Sequence, residues 1–261
     1  MDIRDSVTVI TGAASGIGAA TARAFAAKGA RLVLGDVSEE GLRDVAEELE
    51  GSGAQVAMRR TDVTAEEEVA ALMDLALHRF GAVHVVLPAA GIFRDAFTVR
   101  VKEGKVTRTM SADQFRAVID VNLTGTFLTV REAAARMIDG GHRGVLFTMS
   151  SINKAGELGQ INYAASKAAV AMWPKLLVGE FHAQDVHGIR VVGIAPGYVR
   201  TPILEAMSET ALERVLSRVP LGRLIDPSEI TALLAHVVEN EAIDATTLEV
   251  AGGALSAGLP K

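Results

Sequence analysis

The 261-residue sequence contains no cysteine, which excludes disulfide bonds and thiolate metal sites, and we expect no metal site. It has no apolar run near the 18 or so residues that a membrane helix needs. Positive charge is in deficit, and the formal net charge of −6 argues against binding to nucleic acid or anionic membranes. The start, MDIRDSVTVITG, carries acidic residues and a strand-like run, unlike a signal peptide. We therefore expect a cytoplasmic protein.

Short apolar runs rich in β-branched residues alternate with alanine-rich helical stretches along the chain. The predicted strands are Val7–Ile10, Arg31–Leu34, Gln55–Arg60, Val83–Leu87, Val145–Met149, Ile189–Ile194 and Thr246–Val250. The predicted helices are Gly18–Lys28, Glu39–Glu50, Ala65–Phe80, Asp113–Ile138, Asn162–His182 and Pro227–Glu239. This alternation predicts an α/β fold, a Rossmann-like doubly wound parallel sheet of about seven strands with helices on both faces. We expect residues 1–261 to form a single domain.

One segment, residues 92–112, interrupts this alternation. Val99, Val101 and Val106 alternate with charged residues around Glu103-Gly104, which predicts a surface hairpin insertion. The segment carries the basic residues Arg94, Arg100, Lys102, Lys105 and Arg108 and the acidic residues Asp95 and Glu103. A solvated hairpin is the simplest interpretation.

A glycine-rich turn follows the first predicted strand and opens the first helix. It comprises Gly12, Ser15, Gly16, Ile17 and Gly18. Glycine permits a sharp turn and a close approach to a pyrophosphate, and the helix start offers it unpaired N–H groups. Asp36 ends the second strand, 18 residues after Gly18, where a carboxylate can bind an adenosine ribose and repel a 2′-phosphate. These features predict an NAD site, although a plain turn and a loop aspartate would look the same in isolation.

Tyr163 and Lys167 lie four residues apart in NYAASKAAVAM, a run that predicts helix, so both side chains share one face. Tyrosine is a poor proton donor or acceptor at neutral pH because its pKa is about 10. One ammonium about 4 Å away contributes about 4 kcal/mol at an effective dielectric near 20, which would bring that pKa near 7. The pair can act as an acid–base device, or it can be a boundary aromatic beside a solvated charge.

Together these motifs resemble the short-chain dehydrogenase/reductase family over nearly the whole chain. Gly12, Gly16 and Gly18 match its glycine turn, and Tyr163 and Lys167 match its YxxxK motif. The other matching positions are Asp62 and Val63 beside the adenine ring, Ala90 and Gly91 after strand four, Asn122 of the catalytic tetrad, and Pro196, Gly197, Val199 and Thr201 beside the nicotinamide. The most similar branch contains 3-oxoacyl-thioester reductases and sugar or alcohol dehydrogenases.

The resemblance implies an NAD(H)-dependent oxidoreductase that interconverts a small-molecule secondary alcohol and a ketone by hydride transfer. Tyr163 would exchange a proton with the substrate oxygen. Lys167 would lower the pKa of Tyr163 and bind the nicotinamide ribose, and Asn122 would hold a water that links Lys167 to solvent. Similar family members pair the helices corresponding to Asp113–Ile138 and Asn162–His182 across a dimer, so a homotetramer is expected.

A serine would hydrogen-bond the substrate oxygen, and the sequence leaves its identity open. Counting back 13 residues from Tyr163 gives Ser150, whereas matching the strand end FTMSS gives Ser151. We favour Ser151 because a strand fixes a position better than a loop does.

The chain departs from the family's motifs in three further places. Pro88-Ala89-Ala90-Gly91 replaces Asn-Asn-Ala-Gly after strand four, so side-chain hydrogen bonds that support the sheet are lost. Pro174 would kink its helix and shift the dimer surface. Residues 139–143 carry one fixed positive charge, Arg143, which predicts a poor dock for an acidic acyl carrier protein.

We expect residues 197–222 to form a substrate lid. Its apolar residues include Pro202, Ile203, Leu204, Met207 and Leu212.

A catalytically silent dinucleotide-binding sensor or scaffold is an alternative function, but such a protein would have no need of Asn122, Tyr163 and Lys167. A 3-oxoacyl-ACP or 3-oxoacyl-CoA reductase is a second alternative. A methyltransferase would leave the Tyr–Lys pair unexplained.

Overall fold

The computed structural model describes residues 1–201, 204 and 208–254, which form one sheet of seven parallel strands and a separate hairpin. In chain order the strands are β1 Val7–Thr11, β2 Arg31–Asp36, β3 Gln55–Arg60, β4 Val85–Pro88, β5 Val99–Lys102, β6 Lys105–Thr109, β7 Gly144–Met149, β8 Ile189–Pro196 and β9 Thr246–Val250. The order across the sheet is β3-β2-β1-β4-β7-β8-β9, which confirms the predicted doubly wound fold. The strand order reverses between β1 and β4, the place where such sheets bind ligands at the carboxyl ends of their strands.

Helices cover the sheet in the described part of the chain. They are α1 Gly16–Ala27, α2 Glu39–Gly51, α3 Glu66–Phe80, α4 Ala112–Ile119, α5 Gly125–Asp139, α6 Ile161–Ala183, α7 Glu209–Leu216 and α8 Pro227–Glu239. Asp226 and Glu229 form a reciprocal capping box at the start of α8. None of these helices is long and apolar enough to cross a membrane.

The apolar core lies in two layers, one on each face of the sheet. On one face α1, α2 and α8 pack against the strands through residues such as Phe25, Leu42 and Leu234. On the other face α3 and α5 pack through residues such as Leu72 and Met137. Strand side chains alternate between these layers because successive residues of a strand point to opposite faces.

The long predicted helix over 113–138 contains an irregular turn. α4 and α5 are joined by a π-helical turn, Asp120–Thr124, which contains the buried Asn122. Single π turns inside helices occur frequently at functional sites.

α6 runs without a break through Pro174, which is buried inside it. Proline has no N–H, so the carbonyl of Val170, four residues earlier, loses its usual helical partner. Thr148 of β7 donates its hydroxyl to that carbonyl at 3.1 Å. The sheet thus satisfies the group that Pro174 frees, and the helix continues to Ala183.

Pro88 weakens only part of the sheet around β4. β4 pairs with β1 as far as Thr11↔Pro88, and Ala89 N donates to Thr11 O at 3.1 Å. The ladder with β7 ends at Val86↔Leu146, and proline offers no N–H to extend it. Thr11 Oγ1 is buried and has no hydrogen-bond partner within the described ranges. The support is therefore reduced on the β4–β7 side and at this hydroxyl.

β5 and β6 form a two-stranded antiparallel hairpin outside the main sheet, within residues 92–112. Its turn residues, Glu103 and Gly104, have φ values of 51° and 74°. Positive φ at both central residues is typical of the tight turns that match the twist of a hairpin. Both strands are exposed along their whole length.

Candidate active site

The turn between β1 and α1 requires glycine at two positions. A side chain on Gly12, where φ is +68°, would put its Cβ 2.5 Å from Ala90 N. A Cβ on Gly18 would lie 2.1 Å from Gly12 O, so α1 begins in contact with the preceding turn. Ser15 is the N-cap of α1 and makes no side-chain cap bond. The first N–H groups of α1 are therefore available to an anion.

Asp36 ends β2 and is attached to this glycine turn. Its Oδ2 accepts the N–H of Ala14 at 3.0 Å, and its Oδ1 accepts the N–H of Ser38 at 3.0 Å. The carboxylate is thus held in one orientation. Each oxygen retains a lone pair that can accept a ribose hydroxyl.

Sequence reasoning missed two arginines on β3, the strand that pairs with β2, because strand register depends on long-range pairing. β3 brings Arg59 beside Gly35 and Arg60 beside Asp36 in register. Arg60 forms an ion pair with Glu68 at 3.1 Å. That ion pair draws the guanidinium toward α3.

Asp62 and Val63 follow β3 and differ in environment. Asp62 Oδ1 accepts bonds from the backbone N–H and the hydroxyl of Thr64, and these lower the pKa of the carboxyl. Val63 is buried, and its Cγ2 would lie 2.6 Å from a Cβ on Gly125 at the start of α5. Val63 therefore belongs to the wall between the sheet and α5, close to Ala90.

The segment after β8 turns back toward the glycine turn. Pro196 ends β8, Gly197 N donates to Val250 O at 2.8 Å, and Val199 is buried and bridges to Ile225.

Thr201 brings that segment into contact with α1. A Cβ on Gly16, where φ is +55°, would lie 3.7 Å from Thr201 Cγ2. Ile17 is partly buried and packs on the core. The ends of β1 and β8 therefore line one cleft.

Tyr163 and Lys167 lie one turn apart on α6, and both are buried, with exposures of 8% and 5%. The Lys167 ammonium donates to Met149 O at 2.7 Å and lies 5.5 Å from the centre of the Tyr163 ring. The end of β7 and the first turns of α6 therefore hold the two side chains together.

Burial has the largest effect on the pKa of Tyr163 and on that of Lys167. It raises the pKa of Tyr163 to about 12, although a hydrogen bond with Ser151 acts in the opposite direction. Burial lowers the pKa of Lys167 to about 8. The expectation that Lys167 brings the phenol near pH 7 neglected desolvation, which disfavours the charged form of each group. Tyr163 is therefore protonated at neutral pH in this structure.

The two candidate serines point to different partners. Ser150 donates its hydroxyl to Lys167 O at 2.8 Å and joins the sheet to α6. Ser151 Oγ accepts the N–H of Asn153 at 3.1 Å and lies beside the Tyr163 phenol, whose pKa it lowers. The hydroxyl beside the phenol is that of Ser151.

Asn122 connects the π turn to the segment after β4. Its Oδ1 accepts Ile92 N at 2.8 Å, and its Nδ2 donates to Ile92 O at 3.0 Å. A Cβ on the intervening Gly91 would lie 3.4 Å from Asn122 Oδ1 and 3.9 Å from Lys167 Nζ. The amide thus fixes the backbone at residues 90–92 beside the lysine.

The sequence model of the short chain dehydrogenase family matches residues 6–212 of this chain. The chain belongs to the short-chain dehydrogenase family. It is 36% identical over 245 residues to a 3-oxoacyl-(acyl-carrier-protein) reductase of Thermotoga maritima, covering 92% of this chain and 93% of that protein. A cis-4-hydroxycyclohexanecarboxylate dehydrogenase of Sinomonas cyclohexanicum is 36% identical over 251 residues, covering 95% and 96%. The human 3-hydroxyacyl-CoA dehydrogenase type-2 is 35% identical over 259 residues, covering 96% and 95%.

A solved structure shows the same architecture. The crystal structure of levodione reductase superposes with a TM-score of 0.85 at 29% identity, covering 96% of this chain and 97% of that one. This short-chain dehydrogenase is therefore an oxidoreductase, and its family uses nicotinamide cofactors.

The cleft of this short-chain dehydrogenase fits a nicotinamide dinucleotide. The glycine turn leaves no room for side chains at Gly12 and Gly18 but exposes the N–H groups of α1, as a pyrophosphate requires. Asp36 stands at one end of the cleft, and Tyr163 and Lys167 stand near the other. An adenosine ribose and a nicotinamide would lie at these two ends.

Sequence reasoning missed an aromatic side chain at the centre of the site. Phe93 stacks on Tyr163, with ring centres 4.5 Å apart and an angle of 26° between the rings, and remains 40% exposed. It lies two residues after Gly91, in a loop whose sequence has no periodic pattern. The only available signal was its position directly after the family's turn motif.

The predicted lid falls partly outside the described residues, namely at Pro202, Ile203 and Met207. Within the described part, α7 occupies residues 209–216 and Arg218 follows it. Arg218 pairs with Glu157 at 3.1 Å, and its guanidinium lies 5.9 Å from the centre of the Tyr198 ring. These contacts join the far end of the segment to the loop after Ser151.

Proposed function

We propose that this short-chain dehydrogenase uses NAD(H) to interconvert a secondary alcohol and a ketone, with Tyr163 as the acid–base group. The observation that carries the proposal is the arrangement of Ser151, Tyr163 and Lys167 at the carboxyl end of the sheet, beside the glycine turn. A nicotinamide supplies or accepts the hydride when it is bound.

Each side chain has a distinct role in this proposal. The protonated Tyr163 donates its proton to the ketone oxygen in reduction and recovers it in oxidation. Ser151, whose hydroxyl lies beside that phenol, bonds the substrate oxygen. Lys167 is mostly charged at neutral pH, because its pKa is about 8, and its field stabilises the phenolate as the proton leaves. Asn122 is a positioning residue that holds the backbone beside Lys167.

We further propose that NAD(H) is preferred over NADP(H). Asp36 accepts two backbone N–H groups, which hold its carboxylate in place beside the glycine turn. A 2′-phosphate about 4 Å from it would be repelled by about 4 kcal/mol at an effective dielectric of 20. Of the two arginines on β3, Arg60 is opposite Asp36 and forms an ion pair with Glu68, and Arg59 is opposite Gly35, which supports the same preference.

The test is kcat/KM for NADH and NADPH with one ketone substrate. We expect at least a tenfold preference for NADH, and Asp36→Ala should narrow it. Asp44→Ala, on the exposed face of α2, removes the same charge and should leave the ratio unchanged. Equal values for the wild type would mean that Asp36 does not face the ribose. Tight NADH binding without turnover of any alcohol or ketone would favour the silent sensor.

The names of the relatives favour a 3-oxoacyl thioester as a second candidate substrate. A thioester of an acyl carrier protein is less favoured as a substrate than a thioester of coenzyme A. The region 139–143 contains one fixed cation, Arg143, which lies 3.8 Å from Glu241 and so offers little attraction to an acidic carrier.

We also propose a homotetramer built on α5 and α6. Their outer faces expose Phe127, Ile138, Met172 and Leu176, with exposures between 42% and 59%. Large apolar side chains exposed on helices are typical of protein interfaces. Light scattering at micromolar concentration should give four times the chain mass, and a monomeric mass would overturn the assembly.

A further inference from the structure

The hairpin β5–β6 carries a pair of arginines that its own fold does not explain. Arg100 and Arg108 are directly opposite each other in the register. Like charges in such a pair destabilise a hairpin. Within the described ranges neither guanidinium forms an ion pair with a carboxylate.

Both arginines face a pocket of about 330 Å³ between the hairpin and the loop before α6. Its other lining includes Asp95, Phe97, Leu158 and Gly159. The Arg100 guanidinium lies 5.6 Å from the centre of the Phe97 ring, which supports it from one side.

A bulge directs the second arginine. The register shifts between Arg100 and Val101, and the extra residue, Thr107, donates its hydroxyl to Arg100 O at 3.2 Å. Bulges bend a strand and re-aim its side chains. Here the bulge lies next to Arg108.

Hydrogen bonds join the pocket to the loop between Ser151 and α6. Ala96 N donates to Gly159 O at 2.9 Å, and Gln160 Nε2 donates to Asp95 Oδ2 at 2.7 Å. Gln160 also accepts a bond from Asn153, whose N–H is bonded to Ser151. The arginines are thus held at a defined place relative to the site.

The distance from the catalytic tyrosine to the pocket is limited by the chain. Phe93 stacks on Tyr163, and Arg100 lies seven positions after Phe93 along the chain. An extended chain of that length spans at most about 25 Å. A long substrate can therefore reach both places.

We propose that Arg100 and Arg108 bind a phosphate at the far end of the substrate, and that the substrate is a 3-oxoacyl or 3-hydroxyacyl thioester of coenzyme A. This inference rests on the proposed function and adds to it a binding site for the coenzyme A tail, formed by Arg100 and Arg108 and called the tail site below. Guanidinium groups bind phosphate in bidentate geometry, and a dianion between these two pocket-lining arginines would convert their repulsion into attraction. In the reduction, the 3-oxo carbon accepts the hydride of NADH and its oxygen accepts the Tyr163 proton, giving the 3-hydroxyacyl thioester and NAD⁺.

Binding of coenzyme A alone tests the tail site. Calorimetry of the enzyme saturated with NADH, so that the nucleotide cleft is blocked, should give submillimolar affinity. The double variant Arg100→Gln/Arg108→Gln should weaken it at least tenfold. Lys102→Gln/Lys105→Gln is a matched control, because these lysines also face each other on the hairpin but do not line the pocket. No binding by the wild type, or equal weakening in both variants, would overturn the proposal.

Steady-state kinetics with two thioester substrates distinguish an effect on tail binding from an effect on the reaction. Acetoacetyl-CoA and acetoacetyl-N-acetylcysteamine share one reacting group, but only the first carries phosphate. We expect the arginine variant to raise KM at least tenfold for the first and to change kcat/KM for the second less than twofold. Loss of both activities in a folded variant would contradict a tail role, and so would a wild-type preference for an acyl-carrier-protein thioester. Wild-type activity with the second substrate alone would retain the proposed function and reject this inference.

Discussion

Ser150 and Ser151 are adjacent, but their hydroxyls act on different elements. Ser150, at the end of β7, bonds a carbonyl of α6, and Ser151 turns toward the Tyr163 phenol. Successive side chains of an extended chain point in opposite directions, which explains the division. One hydroxyl can therefore serve the reaction while its neighbour serves the fold.

Ser151→Ala should lower kcat about tenfold or more, because it removes a donor beside the reacting oxygen. Ser150→Ala should keep most of the activity and cost about 1 kcal/mol in the free energy of unfolding. Steady-state kinetics and urea unfolding of the two variants separate these roles. A larger fall in kcat for Ser150→Ala would reverse the assignment.

At the scale of the residue, the sequence predicts site residues that are identified by short-range spacing within one helix or at one strand end. Tyr163 and Lys167 share a helical face, and the strand end FTMSS points to Ser151. The contact of Phe93 with Tyr163 could not be predicted, because an irregular loop has no period. The raised pKa of Tyr163 was missed as well, since burial depends on the whole fold.

At the scale of the element, α6 is fixed to the sheet by hydroxyl groups. Thr148 of β7 donates to Val170 O, and Thr247 of β9 donates to Ala171 O at 2.7 Å. Between them, on β8, a Cβ on Gly193 would lie 2.2 Å from Thr247 Oγ1. Glycine there lets both hydroxyls reach the helix that carries the Tyr–Lys pair. The sequence predicts Pro174 as a disruption but does not reveal these compensating bonds.

Thr148→Val should lower the free energy of unfolding by about 1–3 kcal/mol, because it leaves the Val170 carbonyl buried and unpaired. In a Pro174→Ala background the alanine N–H can bond that carbonyl, so the same substitution should cost less. Thr129→Val is a control, since it also removes a buried hydroxyl that bonds a helix carbonyl. Urea unfolding of the four-member cycle measures the coupling, and strictly additive losses would contradict this account.

At the scale of the whole molecule, the apolar runs predict all seven strands of the parallel sheet. They do not predict which side chains neighbouring strands bring together. Arg60 beside Asp36 is one case, because the register of β2 and β3 depends on long-range pairing. The pocket between the hairpin and the loop before α6 is a second case that the sequence does not predict.

A histidine with a lowered pKa lies at the amino ends of the central strands β1 and β4. His84 Nδ1 accepts the N–H of Val7 at 3.0 Å, and its ring centre lies 5.8 Å from that of His142. Burial lowers the pKa of His84, and the charges of His142 and Arg31 lower it further. The unfolded chain therefore binds a proton more readily than the folded one.

The contribution of His84 to the free energy of unfolding should accordingly be constant above about pH 6.5 and fall as the pH drops from there through the folded pKa of His84. His84→Asn keeps an oxygen that can accept the Val7 N–H and should flatten this slope. His187→Asn, on the exposed surface, should leave the slope unchanged. Urea unfolding between pH 5 and 8 makes the comparison, and an unchanged slope in His84→Asn would exclude His84 as its source.

The most direct test of the account is Tyr163→Phe. The substitution removes the proton donor but keeps the ring that stacks on Phe93. The chain has two tyrosines, so Tyr198→Phe is a matched control. We expect NADH binding, followed by fluorescence, to be nearly unchanged, while ketone reduction falls about 10²–10⁴-fold, the usual contribution of a general acid. A Tyr163→Phe enzyme that retains more than about a tenth of the wild-type rate would contradict the account.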